Sequence, residues 1–331
     1  MKYPLLFLFL LFPLTLLTGS VNLSYSDLTE ALLRSEEANE TALYIVWESR
    51  LPQALTAALA GCALAVSGLI MQTLFTNPLA DPSLLGIHSG ASLGAALAML
   101  ALGGWGSIGS FTLSGTLFTI VASFLGACGV IMLLLTFSRL LKGNLALLVT
   151  GVMLSFALSA VISLLSFYAT ADGVRSYIIW GLGDFSGVPL SRMSIFSAFI
   201  LLPSLLIWML ARPLNALLLG SEYAYNLGVR VETVRTGLLG LTGLLTATVT
   251  AFCGPISFIG LAVPHIARLL LHTADHRKLI PATLLWGADI ALLSLLLTHL
   301  PGERGVLPLA AITPLMGVPV VLYILTRRRA G

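Results

Sequence analysis

Residues 51–75 run for 25 positions without an acidic or basic side chain, and nine further stretches are nearly as apolar: 3–21, 84–103, 113–137, 145–169, 193–211, 233–252, 255–271, 279–300 and 306–325. A hydrocarbon core about 30 Å thick is crossed by about 20 residues of helix. Inside lipid every backbone N–H and C=O must be paired within the protein, which excludes open strands. The expectation is an all-α polytopic membrane protein with about ten transmembrane helices, forming a single domain over 1–331. Charged residues make up 9% of the chain, against about 25% in soluble proteins, so no water-facing surface can be coated. Spans 84–103 and 255–271 are the ones cut into by proline and glycine.

Ten spans place both termini on one side. With the termini inside, 12 of the 17 lysines and arginines fall on the inner side, leaving Arg34, Arg50, Arg175, Arg192 and Arg304 outside. An excess of Lys and Arg marks the cytoplasmic side, so both termini are expected in the cytoplasm. The first stretch, a lysine followed by "PLLFLFLLFPLTLLTGS", also has the shape of a secretory signal. It lacks a clean A-x-A site, which favours a retained helix.

Catalytic and metal chemistry find little support. Cys62, Cys128 and Cys253 lie far apart in apolar stretches and read as packing residues. His272 and His276 have i, i+4 spacing, but a polar run toward Pro281 reads as a loop there. No cofactor or nucleic-acid signature is present. Asp289, in "LLWGADIALL", is the one acidic residue midway along a span. An unpaired carboxylate there costs about 3 kcal/mol on insertion scales, so pairing to a neighbouring helix is the expectation. With so few buried charges, energy for any transport is expected to come from outside the bilayer.

Two polar interruptions face the inner side. In "TNPLADPS", Asn77-Pro78 and Asp81-Pro82 each set a helix-capping side chain before a proline suited to a first helical turn. Gly86, Gly90 and Gly94 beyond it permit close helix approach. The longer interruption, 212–233, begins where Pro213 is expected to end span 193–211. Leu214, Leu217 and Leu218 predict a short amphipathic helix, broken by Gly220. Ser221 is placed to cap a second short helix with Glu222 in its first turn, and Gly228 sits where a C-terminal glycine belongs. Two short helices joined by glycine make a compact knob facing the cytosol.

These stretches resemble the FecCD-type permeases, membrane subunits of ABC importers for iron–siderophore complexes, heme and cobalamin. The resemblance rests on "SRLPQALTAALAGCALAVSGLIMQTLFTNPLADPSLLGIHSGASLG" (49–94), "WGLGDFSG" (180–187), "LNALLLGSEYAYNLGV" (214–229), "GPISFIGLAVPHIARLL" (254–270), "DHR" (275–277) and "GVLPLAAITPLMGVPVVLYIL" (305–325). It implies a type II importer architecture in the bacterial inner membrane, with a second copy of the chain, two cytoplasmic ABC ATPases, a periplasmic or surface binding protein and a metal-chelate substrate. It implies that the chain itself does no chemistry and that 214–229, with Glu222, Ala224 and Gly228 in the E-x-A-x-x-x-G pattern, docks on the ATPase. Asn77, Pro78, Asp81 and Pro82 are then the signature turn. Arg50 becomes a candidate for docking the binding protein, although Gln53 departs from the commoner R-L-P-R, and Arg304 is a second candidate from position. A gradient-driven carrier or channel is the alternative class. A weak inner echo, "NPLADPSLLGI" against "GPISFIGLAV", falls on opposite sides of the membrane, as an inverted repeat requires.

Overall fold

The computed structural model describes residues 2–19, 21, 23–35, 39–103, 105–108, 111–141, 144–300 and 305–328. Arg304 lies outside them. Among the described residues, six helices are long and apolar enough to cross a membrane: Glu40–Leu74, Gly115–Ser138, Leu145–Tyr168, Leu190–Met209, Val231–Cys253 and His276–Thr298. Four shorter apolar helices, Tyr3–Leu17, Ile87–Ala101, Ile259–Leu271 and Leu309–Tyr323, fall on the other four apolar stretches of the sequence. The protein is a multi-pass membrane protein, and its described residues are helical apart from a small ribbon pairing Trp105–Ile108 with Phe111–Ser114.

In chain order the helices are α1 (Lys2–Leu17), α2 (Tyr25–Leu33), α3 (Glu40–Tyr44), α4 (Leu51–Leu74), α5 (Ile87–Ala96), α6 (Gly115–Leu140), α7 (Asn144–Tyr168), α8 (Ala171–Gly181), α9 (Leu190–Met209), α10 (Ala211–Leu217), α11 (Ser221–Asn226), α12 (Val231–Cys253), α13 (Ile259–Leu271), α14 (His276–Thr298) and α15 (Leu309–Arg328). The second span begins well before residue 51. A wide-turn segment, Ile45–Arg50, joins α3 to α4 as one rod. There the Leu51 N–H donates to the Val46 carbonyl, five residues back. Pro52, which has no N–H to give, follows at once, so the widened turn sits where the ordinary ladder has to be interrupted.

The centre of the bundle is made by small residues. A Cβ on Gly61 would strike the Gly287 carbonyl, and one on Gly68 would strike the Gly260 carbonyl, so α4 lies backbone to backbone against α14 and α13. Gly90 and Gly94 do the same for α5 against α6, at Gly126 and Ala122. Lipid tails are as apolar as leucine, so helices in a membrane associate through close packing of this kind. Helix α7, by contrast, presents Met153, Phe156, Leu164, Phe167 and Tyr168 outward.

Two of the shorter helices are entered in the same way. Residue Gly86 (φ +82°) precedes α5 and Phe258 (φ +69°) precedes α13, both left-handed. "TNPLADPS" is more than the tight turn expected from sequence. It folds back beside the last turns of α4, so that a Cβ on Gly260 would lie 2.6 Å from Asp81 Oδ2. Irregular backbone is tolerated at depth where protein covers it, and Asp81 is 9% exposed.

Candidate functional site

The 212–233 interruption folds as two short helices, α10 and α11, between α9 and α12. Helix α9 ends at Met209 and α10 has begun by Ala211, so the break falls at Leu210 and not at Pro213. Pro213 stands in the first turn of α10, where no intrahelical donor is required. Leu214 and Leu217 are buried as the amphipathic pattern predicts, whereas Leu218 is 44% exposed. Gly220 turns the chain at φ +107° and is itself the N-cap of α11. Ser221 is therefore the first helical residue, makes no side-chain cap, and does not have the role expected of it.

Helix α11 is one and a half turns long and buries only Ala224. Glu222 is exposed in its first turn, among N–H groups that favour a negative charge. The helix is closed by paired bonds: Gly228 N–H to the Tyr225 carbonyl at 2.9 Å, and Val229 N–H to the Ala224 carbonyl at 3.0 Å. This is a Schellman closure, with Gly228 at φ +82° in the left-handed position that the motif assigns to glycine. The outward face carries Leu219, Tyr223, Tyr225 and Leu227, between 52% and 74% exposed. Aromatic side chains with a polar tip are enriched where proteins meet.

Around the base of the knob, stretches distant in sequence converge. His265 of α13 bonds the Pro78 carbonyl at 2.8 Å, and Arg268 donates to Gln72 Oε1 at 2.7 Å. Asp81 caps the short turn Pro82–Leu85 by accepting from the Ser83 N–H at 2.8 Å, as expected. Asn77 caps no helix. Its Oδ1 accepts from the Leu79 N–H at 2.9 Å, closing a local turn instead. Asp275 caps α14 by accepting from the Arg277 N–H, and Asn215 of α10 donates to it at 2.6 Å. The Asn215 amide, with the Arg277 N–H, holds the Asp275 carboxyl below its ordinary range.

At the opposite end, "WGLGDFSG" meets "GPISF". The Asp184 N–H donates to the Cys253 carbonyl at 2.8 Å, and a Cβ on Gly254 would lie 2.5 Å from the Trp180 carbonyl. The profile of the FecCD transport family matches residues 6–327. The chain belongs to that family. It is 36% identical over 326 residues to the hemin transport system permease protein HmuU of Yersinia pestis, covering 97% of this chain and 95% of the relative. It is 36% identical over 286 residues to the vitamin B12 import system permease protein BtuC of Escherichia coli, covering 86% and 84%. Its fold matches a solved inward-facing metal-chelate type ABC transporter with a TM-score of 0.85, 28% identity and 98% coverage of both chains.

Two sequence expectations for this FecCD member change in the structure. Arg50, expected at an exposed outer edge, is 5% exposed. Its guanidinium donates to the carbonyls of Leu16 (2.6 Å), Leu17 (3.0 Å) and Val21, where α1 runs out of intrahelical donors. Asp289, expected to pair with a neighbouring helix, is 2% exposed, and neither carboxylate oxygen has a hydrogen-bond partner among the described residues. The residues missed from sequence are Tyr223, Tyr225 and Asn215. The first two were legible as aromatics flanking Ala224 in the hexapeptide SEYAYN, and Asn215 was not, because its partners lie 60 positions away.

Proposed function

We propose that this chain is the membrane-spanning subunit of an ABC importer that carries a metal chelate of the heme, cobalamin or iron–siderophore kind across the bacterial inner membrane. Membership of the FecCD transport family and the named activities of two relatives, hemin and vitamin B12 transport, support that substrate class. In this reading the chain spans the membrane ten times with both termini in the cytoplasm, pairs with a second copy, and receives its chelate from a periplasmic or surface binding protein. Two cytoplasmic ABC ATPases supply the energy, and hydrolysis takes place on them.

The observation that carries the reading is the α10–α11 knob. An ATPase outside the bilayer moves helices only through a rigid contact, and α11 offers exposed tyrosines and Glu222 on a base anchored by Leu214 and Leu217. Residues 212–233 therefore serve as the coupling loop. The test is co-purification of the permease with its cassette ATPase, followed by uptake in proteoliposomes containing the binding protein. Glu222→Lys is expected to leave insertion intact and to abolish assembly or coupled uptake. Full assembly and full uptake by that variant would remove the knob from the interface.

A further inference from the structure

A coupling knob needs a joint that passes its displacement to the helices that move. We propose that Asn215, clasped between Asp275 and His276, is that joint, tying α10 to the N-terminus of α14 and through His276 to α4; the proposal rests on reading 214–229 as the ATPase contact.

The hydrogen bonds fix the orientation of each group. Asn215 Nδ2 donates to Asp275 Oδ1 at 2.6 Å, while Asn215 Oδ1 accepts from the His276 backbone N–H at 2.8 Å. Turning the amide over would set oxygen against oxygen and N–H against N–H, so only one orientation satisfies both neighbours. Asn215 Oδ1 also lies 2.9 Å from His276 Nδ1. An amide oxygen carries only lone pairs, so Nδ1 holds the ring proton and donates. His276 Nε2 then faces Thr73 Oγ1 of α4 at 2.9 Å. With its proton on Nδ1, the ring accepts at Nε2 from the Thr73 hydroxyl, whose single proton is spent there, so the chain of bonds ends on the Thr73 side chain of α4.

His276 is 1% exposed and Thr73 5%, which shields these bonds from water. Beyond the joint, α14 and α4 touch at Gly61 and Gly287 with no side chain between them. A push on α11 therefore reaches two helices that move as one body. Apolar packing at Leu214 and Leu217 holds α10 in place but can slide, whereas three directional bonds to one asparagine resist shear. The Arg277 guanidinium stands off at 3.9 Å from Asp275 Oδ1, the oxygen that Asn215 meets at 2.6 Å.

The experiment uses the assembled complex with ATPase and binding protein in proteoliposomes. Asn215→Asp sets two carboxylates against each other, and it is compared with the double change Asn215→Asp, Asp275→Asn. Asn215 and the Arg277 N–H share Asp275 Oδ1. In the double variant the amide at 275 turns its N–H to the carboxylate at 215, so the clasp between 215 and 275 is restored with donor and acceptor exchanged, and only the Arg277 N–H gives up its acceptor. The single variant is expected to co-purify with ATPase at wild-type level while chelate uptake per ATP hydrolysed falls tenfold or more. The double variant is expected to recover most of that ratio. A wild-type ratio in the single variant, or a loss that the exchange does not recover, would overturn the joint. Cross-linking from a cysteine at Tyr225 to the ATPase tests the underlying reading separately. Absence of that cross-link in the wild-type background would sink the coupling-loop assignment, whatever the ratio does.

Discussion

Replacing Gly228 isolates the conformational requirement of the knob from its contacts. At this position φ is +82°, and a Cβ would meet nothing within 4 Å. The cost of substitution is therefore backbone strain with no steric clash. An L-residue held in the left-handed region costs about 1–2 kcal/mol, less for asparagine, whose side chain bonds locally. A β-branched residue belongs at the upper end of the roughly 1–3 kcal/mol range for strained backbone. A helix of six residues has no stability of its own, so α11 stands on its Schellman closure and on Ala224. A loss of about 2 kcal/mol lowers the formed population up to about 30-fold, and apparent affinity for the ATPase falls with the competent fraction. The expected order of ATPase affinity in nanodiscs is Gly, then Asn, Ala and Val. The melting temperature of the permease alone should stay unchanged, because α11 packs outside the spanning core. Equal affinity for Gly228→Val and wild type would refute the reasoning. So would a fall in melting temperature that tracks the series, since that would mean the glycine is required for packing.

Arg50→Ala should strip the buried Leu16 carbonyl and the part-buried Leu17 and Val21 carbonyls of their donor, at a cost of about 1–3 kcal/mol. The check is protease cleavage near 17–21 in otherwise folded protein, and continued protection would remove the capping role. Gly68→Ala should drive a Cβ into the Gly260 carbonyl and abolish monodisperse protein on size exclusion, whereas Gly129→Ala, with nothing within 4 Å, should raise thermal stability by up to about 1 kcal/mol. If Gly68→Ala behaves like Gly129→Ala, α4 and α13 do not touch as described. Asp289→Asn should retain uptake and unfold no earlier than wild type, because the carboxylate is buried without a partner among the described residues. Lost uptake with intact fold would assign that carboxyl a part in transport.

The ten apolar stretches were readable because lipid leaves a chain few alternatives, and each coincides with an apolar helix. The ends of those helices were harder to place. Composition says that 84–103 and 255–271 are apolar, but α5 and α13 start at Ile87 and Ile259 because Gly86 and Phe258 adopt positive φ. The knob was legible in outline from its leucine spacing and its two glycines. Its cap shifted by one residue, since Gly220, turned at φ +107°, occupies the position expected for Ser221. Arg50 was misplaced for a different reason. Local sequence shows a charge at a span's edge, and the carbonyls that hold it lie 29 to 34 positions upstream. The same blindness to distance hid the bond between His265 and Pro78, which joins two stretches that the family resemblance had marked separately.

The importer assignment is tested most directly by uptake of radiolabelled heme, cobalamin and a ferric siderophore into proteoliposomes containing this chain, its cassette ATPase and its binding protein. The assignment predicts accumulation of one of these chelates only when all three proteins and ATP are present, with no response to collapsing the proton or sodium gradient. Accumulation driven by an ion gradient in liposomes that hold this chain alone would contradict it.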